Sequence, residues 1–149
     1  MDNFSPSTVN YLTEAGWYAS RKVSLIKYRA FLQGEGYTWF SKVAEFLEEF
    51  GDLLIKYRDK GGESTLTFDA CDASASYDSR WVTDEYAQRL GRTQLCVIGE
   101  LSGHMLLFMD DLGQVYGGYD DILCFFGNSG TEAIEVICSN QRELMREII

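Results

Sequence analysis

LCVIGELSGHMLLFMDDLGQVYGG, residues 95–118, holds two apolar runs joined by a Ser-Gly turn and followed by an aspartate-rich one. Neither run alternates: Leu95 to Ile98 and Met105 to Met109 are apolar at consecutive positions. A strand with one face in water alternates polar and apolar residues, so these two runs predict strands covered on both faces at the centre of a sheet. Asp110-Asp111-Leu112-Gly113 then fits a turn with Asp first and a left-handed Gly fourth, before Val115-Tyr116 return as the partner strand. Asp110 is expected to hold that turn by accepting bonds from its backbone.

Outward from this centre, the chain reads as helices before and after it. Ser5-Pro6 supplies an N-cap and a proline at the first helical position, with Val9, Leu12 and Ala15 on one face and Gly16 as the stop. A second helix is expected from Ser24 through Ile26, Tyr28, Ala30 and Phe31 to the glycines at 34 and 36. The third is the clearest: Thr38 as cap, Phe40, Val43, Ala44, Leu47 and Phe50 at helical spacing, Glu45, Glu48 and Glu49 outside, Gly51 as stop. The period then changes to two, with Leu53, Ile55 and Tyr57 in one strand, a turn at 60–62, and Leu66, Phe68 and Ala70 in its hairpin partner. Residues 80–90 predict a short helix with Val82, Tyr86 and Leu90 on one face, ended by Gly91. A last helix begins with a capping box, Ser129 and Glu132, and carries a stripe through Ala133, Ile134, Ile137, Cys138, Met145 and Ile148; Ser139-Asn140 is a point where it kinks or breaks. The pattern is α+β: one domain over residues 1–149, with a mixed, mainly antiparallel sheet packed against helices.

Length and composition support one core. The chain has 149 residues, 46% of them hydrophobic, with 3 Trp, 9 Tyr and 9 Phe against 1 Pro, a composition that offsets the entropy of ordering the chain. The amino terminus lacks a basic start followed by an apolar run, and no apolar stretch approaches the roughly 20 residues a bilayer requires, so a cytoplasmic protein is expected. Cys71, Cys96, Cys124 and Cys138 lie far apart without Cys-x-x-Cys pairs, and are read as free thiols in a reducing compartment.

The net charge is −10 and is unevenly placed. Residues 1–75 carry 11 acids and 8 bases, residues 76–149 carry 12 acids and 5 bases, and no Lys or Arg falls between Arg92 and Arg142. Such a surface repels phosphate backbones and anionic membranes and attracts a basic protein. Direct nucleic-acid binding and membrane binding are therefore not expected.

Few residues suggest catalysis. His104 opens an apolar strand with no neighbouring nucleophile or carboxylate in sequence, and is read as packing or hydrogen-bonding locally. FDACDASASYDS, residues 68–79, offers Asp69, Asp72 and Asp78 as hard oxygen donors but lacks EF-hand spacing, its central Gly and the closing Glu. Gly117-Gly118 follows a strand but opens no helix and has no lysine, so it is not a phosphate loop. Trp17, Trp39 and Trp81 each flank a helix and are read as core or rim packing. No cofactor and no metal are called for. The bland account of Asp111, Asp120 and Asp121 is that they are solvated charges keeping a sheet edge from aggregating; the alternative is that they face a partner.

LTEAGW (12–17), Arg21, a short second helix, FSKVAEFLEEFGDL (40–53), two strands, LCVIGEL (95–101) and GQVYGG (113–118) come in an order that resembles the SUKH superfamily, specifically its third branch of bacterial immunity proteins. The similarity spans nearly the whole chain. Two positions depart: Asp52 stands where the family often has a second glycine, and Val97 where it often has a proline.

The resemblance implies an α+β scaffold that works by binding rather than catalysis, neutralising a polymorphic or contact-dependent toxin in the cytoplasm of the cell that makes it. Many such toxins are nucleases or nucleic-acid deaminases with basic, phosphate-holding clefts, which an acidic protein can occlude. Charge distribution then selects Glu100, Asp111, Asp120 and Asp121 as toxin-facing acids, with Tyr116 or Tyr119 as an anchor. Two other readings compete: an intracellular protein-binding adaptor on the same scaffold without a toxin partner, and a small metal-dependent hydrolase built on the Asp-rich loops and His104. Strand edges without evident protection also allow self-association as a homodimer.

Overall fold

A computed structural model of the protein describes residues 4–75, 78–91, 94–141 and 146–147. Three helices come first: α1 (Pro6–Glu14), α2 (Ile26–Gly34) and α3 (Ser41–Phe50). Strands β1 (Leu54–Asp59) and β2 (Gly62–Thr67) form a hairpin, followed by α4 (Ala70–Ala75), a π-helical turn (Trp81–Tyr86) and α5 (Ala87–Leu90). Then come β3 (Leu95–Leu101), β4 (Met105–Asp110), β5 (Val115–Tyr119), β6 (Ile122–Gly127), α6 (Gly130–Cys138) and the short β7 (Arg146–Glu147).

The strands pair in chain order, β1 to β7, and every described pairing is antiparallel. The sheet is thus a simple meander rather than mixed, because each connection is either a hairpin or a helical excursion that returns to the next position. The doubly covered strands lie where their composition requires: Leu95 to Gly99 of β3 and Leu106 to Asp110 of β4 are buried. Cα partners across the ladder share a face. One face carries Ile55, Leu66 and Met109; the other carries Glu100, Leu106, Phe108, Tyr116 and Gly118. Phe46 and Phe50 of α3 pack edge-on against Phe68 just beyond β2, and Tyr86 of the π turn stacks on Phe108 at 5.3 Å, which places α3 and the π turn on opposite faces.

The resemblance motifs meet each other. Trp17 lies parallel to Phe50 at 6.5 Å and donates its indole N–H to Glu49 Oε2 at 2.9 Å, while Arg21 donates to the Glu49 carbonyl at 2.6 Å. Their role is to dock the amino-terminal segment on α3. A second clasp joins α1 to α6: Glu135 accepts from the Ser5 N–H and from the Ser5 and Thr8 hydroxyls, with Thr8 fully buried. Ser5 caps α1 as expected.

Several local expectations need correction. Phe40, not Thr38, occupies the N-cap of α3 and makes no side-chain cap bond. In α2 the buried side chains are Tyr28 and Leu32, whereas Ile26, Ala30 and Phe31 face out, Ile26 at 80% exposure. The second hairpin strand stops at Thr67, and Ala70 opens α4, whose start is capped by Asp69 Oδ1 accepting from the Asp72 N–H at 3.1 Å. The helix expected over 80–90 changes hydrogen-bond register, a π turn running into α5 before Gly91 closes it at φ 67°. Ser129 caps α6, but Glu132 reaches the Asn128 N–H rather than that of Ser129. That helix ends at Cys138, with Asn140 at φ 58°; Met145 and Ile148 lie outside the described residues.

Asp52 explains its departure from the family pattern. It adopts φ 68°, the left-handed region that favours glycine, and its Oδ1 accepts from the Tyr28 hydroxyl and from Lys27 Nζ, the latter at 2.7 Å. Burial alone would raise the Asp52 carboxyl, but the bonds from Lys27 and Tyr28 and the Lys27 charge outweigh it and hold it below the ordinary range. Its stabilising contribution is therefore present above the unfolded carboxylate range and lost as pH falls through the lower folded value; the exposed Lys27 pair adds little to it. Asp52→Ala loses the acceptor and adds about 1 kcal/mol of left-handed strain, whereas Asp52→Gly loses only the acceptor. Thermal melts should place Ala below Gly by roughly 2–4 °C; equal melting temperatures would remove the strain from this account.

The outer edge of β1 is blocked at one point: Tyr11 accepts from the Arg58 N–H and Asn140 donates to the Arg58 carbonyl. Cys96 and Cys138 are buried free thiols, each pushed up to about 12 by burial, while Cys71 and Cys124 are half-buried. No helix among the described residues is long and apolar enough to cross a membrane.

Candidate functional site

The antiparallel meander alternates its turns between two ends of the sheet. Ser102 to His104 (β3 to β4) and Asp120-Asp121 (β5 to β6) lie at one end, and the 111–114 turn (β4 to β5) lies at the other. Five residues of β5 separate the two, a span of roughly 17 Å. The six residues selected from charge distribution therefore divide.

Asp111 is exposed at the far end, apart from Asp120 and Asp121. Tyr116 is 5% exposed, and its hydroxyl donates to Asp110 Oδ2 at 2.9 Å or Gln114 Oε1 at 3.0 Å, so it is an internal strut and no surface anchor. Asp110 itself is fully buried, its Oδ1 accepting from the Leu112 and Gln114 N–H groups at 3.0 and 2.9 Å. The turn role expected of it is the role it has, with Gly113 at φ 91°.

Three of the other four gather, and Glu100 lies two strands away. Tyr119, 42% exposed, ends β5 edge-on to His104 at 5.4 Å. His104 Nδ1 also lies 3.1 Å from the Ser102 carbonyl oxygen, a local role as expected. Asp120 and Asp121 form a two-residue hairpin turn between Tyr119 and Ile122, with Asp120 at φ 50°, a left-handed conformation that Asp adopts more readily than most non-glycine residues. Glu100 stands opposite Leu106 on the face shared with Gly118.

The π turn meets this group from the side. Tyr86 donates to the Asp120 carbonyl and Arg89 to that of Asp121, both at 2.7 Å. Both residues are exposed, and neither carboxylate has a hydrogen bond or ion pair among the described residues. Burial, reinforced by Asp120, pushes the Tyr86 hydroxyl up to about 12, so it remains a donor at neutral pH. Trp81, Tyr86, Leu106, Gly118, Tyr119 and Asp120 enclose a hollow of about 70 Å³. A Cβ at Gly118 would fall inside the Tyr86 ring, so glycine is what admits the ring to the floor. A shallower cleft of about 340 Å³, lined by Asp78, Arg80, Trp81, Asp84 and Glu85, lies on from it through the shared Trp81.

An aromatic ladder fixes the hollow. Trp81 to Tyr86, Tyr86 to Phe108, Phe108 to Tyr116 and Tyr116 to Phe125 are spaced 5.9, 5.3, 5.9 and 5.7 Å. Tyr116, tied to Asp110, thus supports the Tyr86 wall from within the sheet. Sequence reasoning missed Trp81, Asp84 and Glu85 as site residues; the signal present was a tryptophan followed within four residues by two acids. Trp81 is 44% exposed and packs on Tyr86, so of the two placements expected for it, core or rim, it takes the rim.

Among the described residues no three His, Cys, Asp or Glu side chains are grouped to hold a metal. Asp69 caps α4, and Asp78 pairs with Arg80 at 2.9 Å. A separate cleft of about 230 Å³ opens at the far end between α3, the 111–114 turn and the start of α6, with Leu112 at its rim. What the near end offers is an aromatic, acid-rimmed surface on a rigid sheet, suited to contact with a cationic partner.

The SUKH-3 immunity protein family model matches residues 4–140. No curated protein and no solved structure matches.

Proposed function

Because this chain belongs to the SUKH-3 immunity protein family, we propose that it binds and neutralises a cognate polymorphic or contact-dependent toxin, a basic nuclease or nucleic-acid deaminase domain, in the cytoplasm of the producing cell. It does so by covering a phosphate-holding cleft with acidic surface, without catalysis of its own. The observation that carries this reading is the convergence of Tyr119, Asp120 and Asp121 with Trp81 at one end of the sheet. Exposed aromatics supply the buried contact area of an interface, and surrounding acids steer a basic partner, raising association rates about 10- to 1,000-fold at low salt. The net charge of −10 extends that field over the molecule.

Co-expression with the carboxy-terminal toxin domain encoded beside this gene tests the proposal. Survival of the cells and co-purification of a stable complex are expected. No rescue and no complex, with both proteins folded, would overturn it in favour of an adaptor that binds other cellular proteins.

A further inference from the structure

We infer that Trp81 is a ridge between two acid-rimmed hollows that receive guanidinium groups, so that the partner segment carries arginines on either side of the indole. This rests on the toxin-binding reading and adds to it the chemistry of the contact.

Four observations lead there. The indole is half exposed and lines both hollows. The inner hollow is built in advance: Tyr86 is stacked on Phe108, its hydroxyl is tied to the Asp120 backbone, and Gly118 leaves room only for that ring. Its volume of about 70 Å³ suits the head of one side chain rather than a whole ligand. Its one charged residue is Asp120, whose carboxylate has no partner among the described residues; in the outer cleft Arg80 is taken up by Asp78, leaving Asp84 and Glu85 to set the charge.

The occupant follows by elimination. An anion would be repelled by Asp84, Glu85, Asp120 and Asp121. An apolar side chain would strip water from the Asp120 carboxylate and return nothing to it. A lysine ammonium keeps its strong hydration, whereas a guanidinium is weakly hydrated and planar, stacks on an aromatic face and sends its N–H groups sideways to carboxylates. Trp81 offers the best ring for this, and its rigid neighbours lower the ordering needed on binding.

The probe is an acetylated, amidated Arg-Gly-Arg peptide titrated into the ¹⁵N-labelled protein, beside its citrulline counterpart, which has the same shape without the charge. Saturable shifts centred on the Trp81 indole N–H and the Gly118 and Asp120 amides are expected at millimolar peptide, shrinking in high salt, and absent with citrulline. Trp81→Ala and Trp81→Leu should both abolish them, and both should fold because the side chain is half exposed. With the toxin domain, Trp81→Ala should weaken the complex about thirtyfold or more. Shifts that are absent, equal with citrulline, or retained in Trp81→Leu would overturn the guanidinium assignment, as would an unchanged toxin affinity in Trp81→Ala. Those results leave immunity itself standing if the wild type still protects. A wild type that binds no toxin would sink the immunity reading, while the peptide titration still decides the chemistry of the hollow.

Discussion

Asp110→Ala will lower the unfolding free energy by about 2–3 kcal/mol, because it removes a buried charged acceptor from two turn N–H groups and a buried hydroxyl at once. The carboxylate is fully buried and accepts from the Leu112 and Gln114 N–H groups and the Tyr116 hydroxyl. The Tyr116 hydroxyl retains Gln114 Oε1 as a second acceptor, so the two backbone N–H groups carry most of the loss. Asp110→Asn keeps one oxygen for those N–H groups and should cost roughly half as much. Urea unfolding measures both. A loss below about 1 kcal/mol for alanine would mean that glycine geometry, not the carboxylate, sets the turn. The effect should also travel: Tyr116 supports Phe108, which supports Tyr86, so the variant should loosen the Trp81 hollow and weaken peptide shifts there even at temperatures where it remains folded.

That chain of support shows what a sequence can and cannot disclose. The two central strands were legible because consecutive apolar residues fit only an element covered on both sides. The Asp110 turn was legible because Asp and Gly have local reasons to stand where they do. Asp120-Asp121 carry a turn signal of the same kind, but their charge is as well explained by solvent exposure, and β6 behind them is apolar throughout with no alternation to mark it as a strand. The short α4 has no apolar period to detect; its only mark was Asp69 three residues before Asp72. Trp81 opens the π turn, and the period through Val82 and Tyr86 marks the buried face while leaving Trp81 outside it; nothing local in sequence says that β5 would bring Gly118 and Asp120 alongside. Tyr116 illustrates the converse: an aromatic beside acids suggests an anchor, but alternation along β5 and a buried acceptor turn it inward.

The division of the acids between two ends gives the sharpest functional expectation. Asp120→Lys with Asp121→Lys should slow toxin association ten- to a hundredfold at low salt, with the deficit shrinking as salt rises, because exposed charges act through a field that added ions screen. Asp111→Lys, at the opposite end, should change association far less. Folding should survive the double reversal, since neither carboxylate holds a partner among the described residues and the turn is tied down through backbone carbonyls by Tyr86 and Arg89. Asp120 nevertheless sits at φ 50°, where lysine is strained by about 1 kcal/mol. Asp120→Asn with Asp121→Asn avoids that confusion: asparagine tolerates the same backbone and removes only charge. The asparagine pair should therefore show an intermediate loss in association rate with an unchanged melting temperature. Stopped-flow rates across a salt series separate this steering from the Trp81 contact, which should act on dissociation instead. Equal rates for wild type, the lysine pair and the asparagine pair at low salt would take this end of the sheet out of the interface, and the cleft beside Leu112 would become the surface to mutate next.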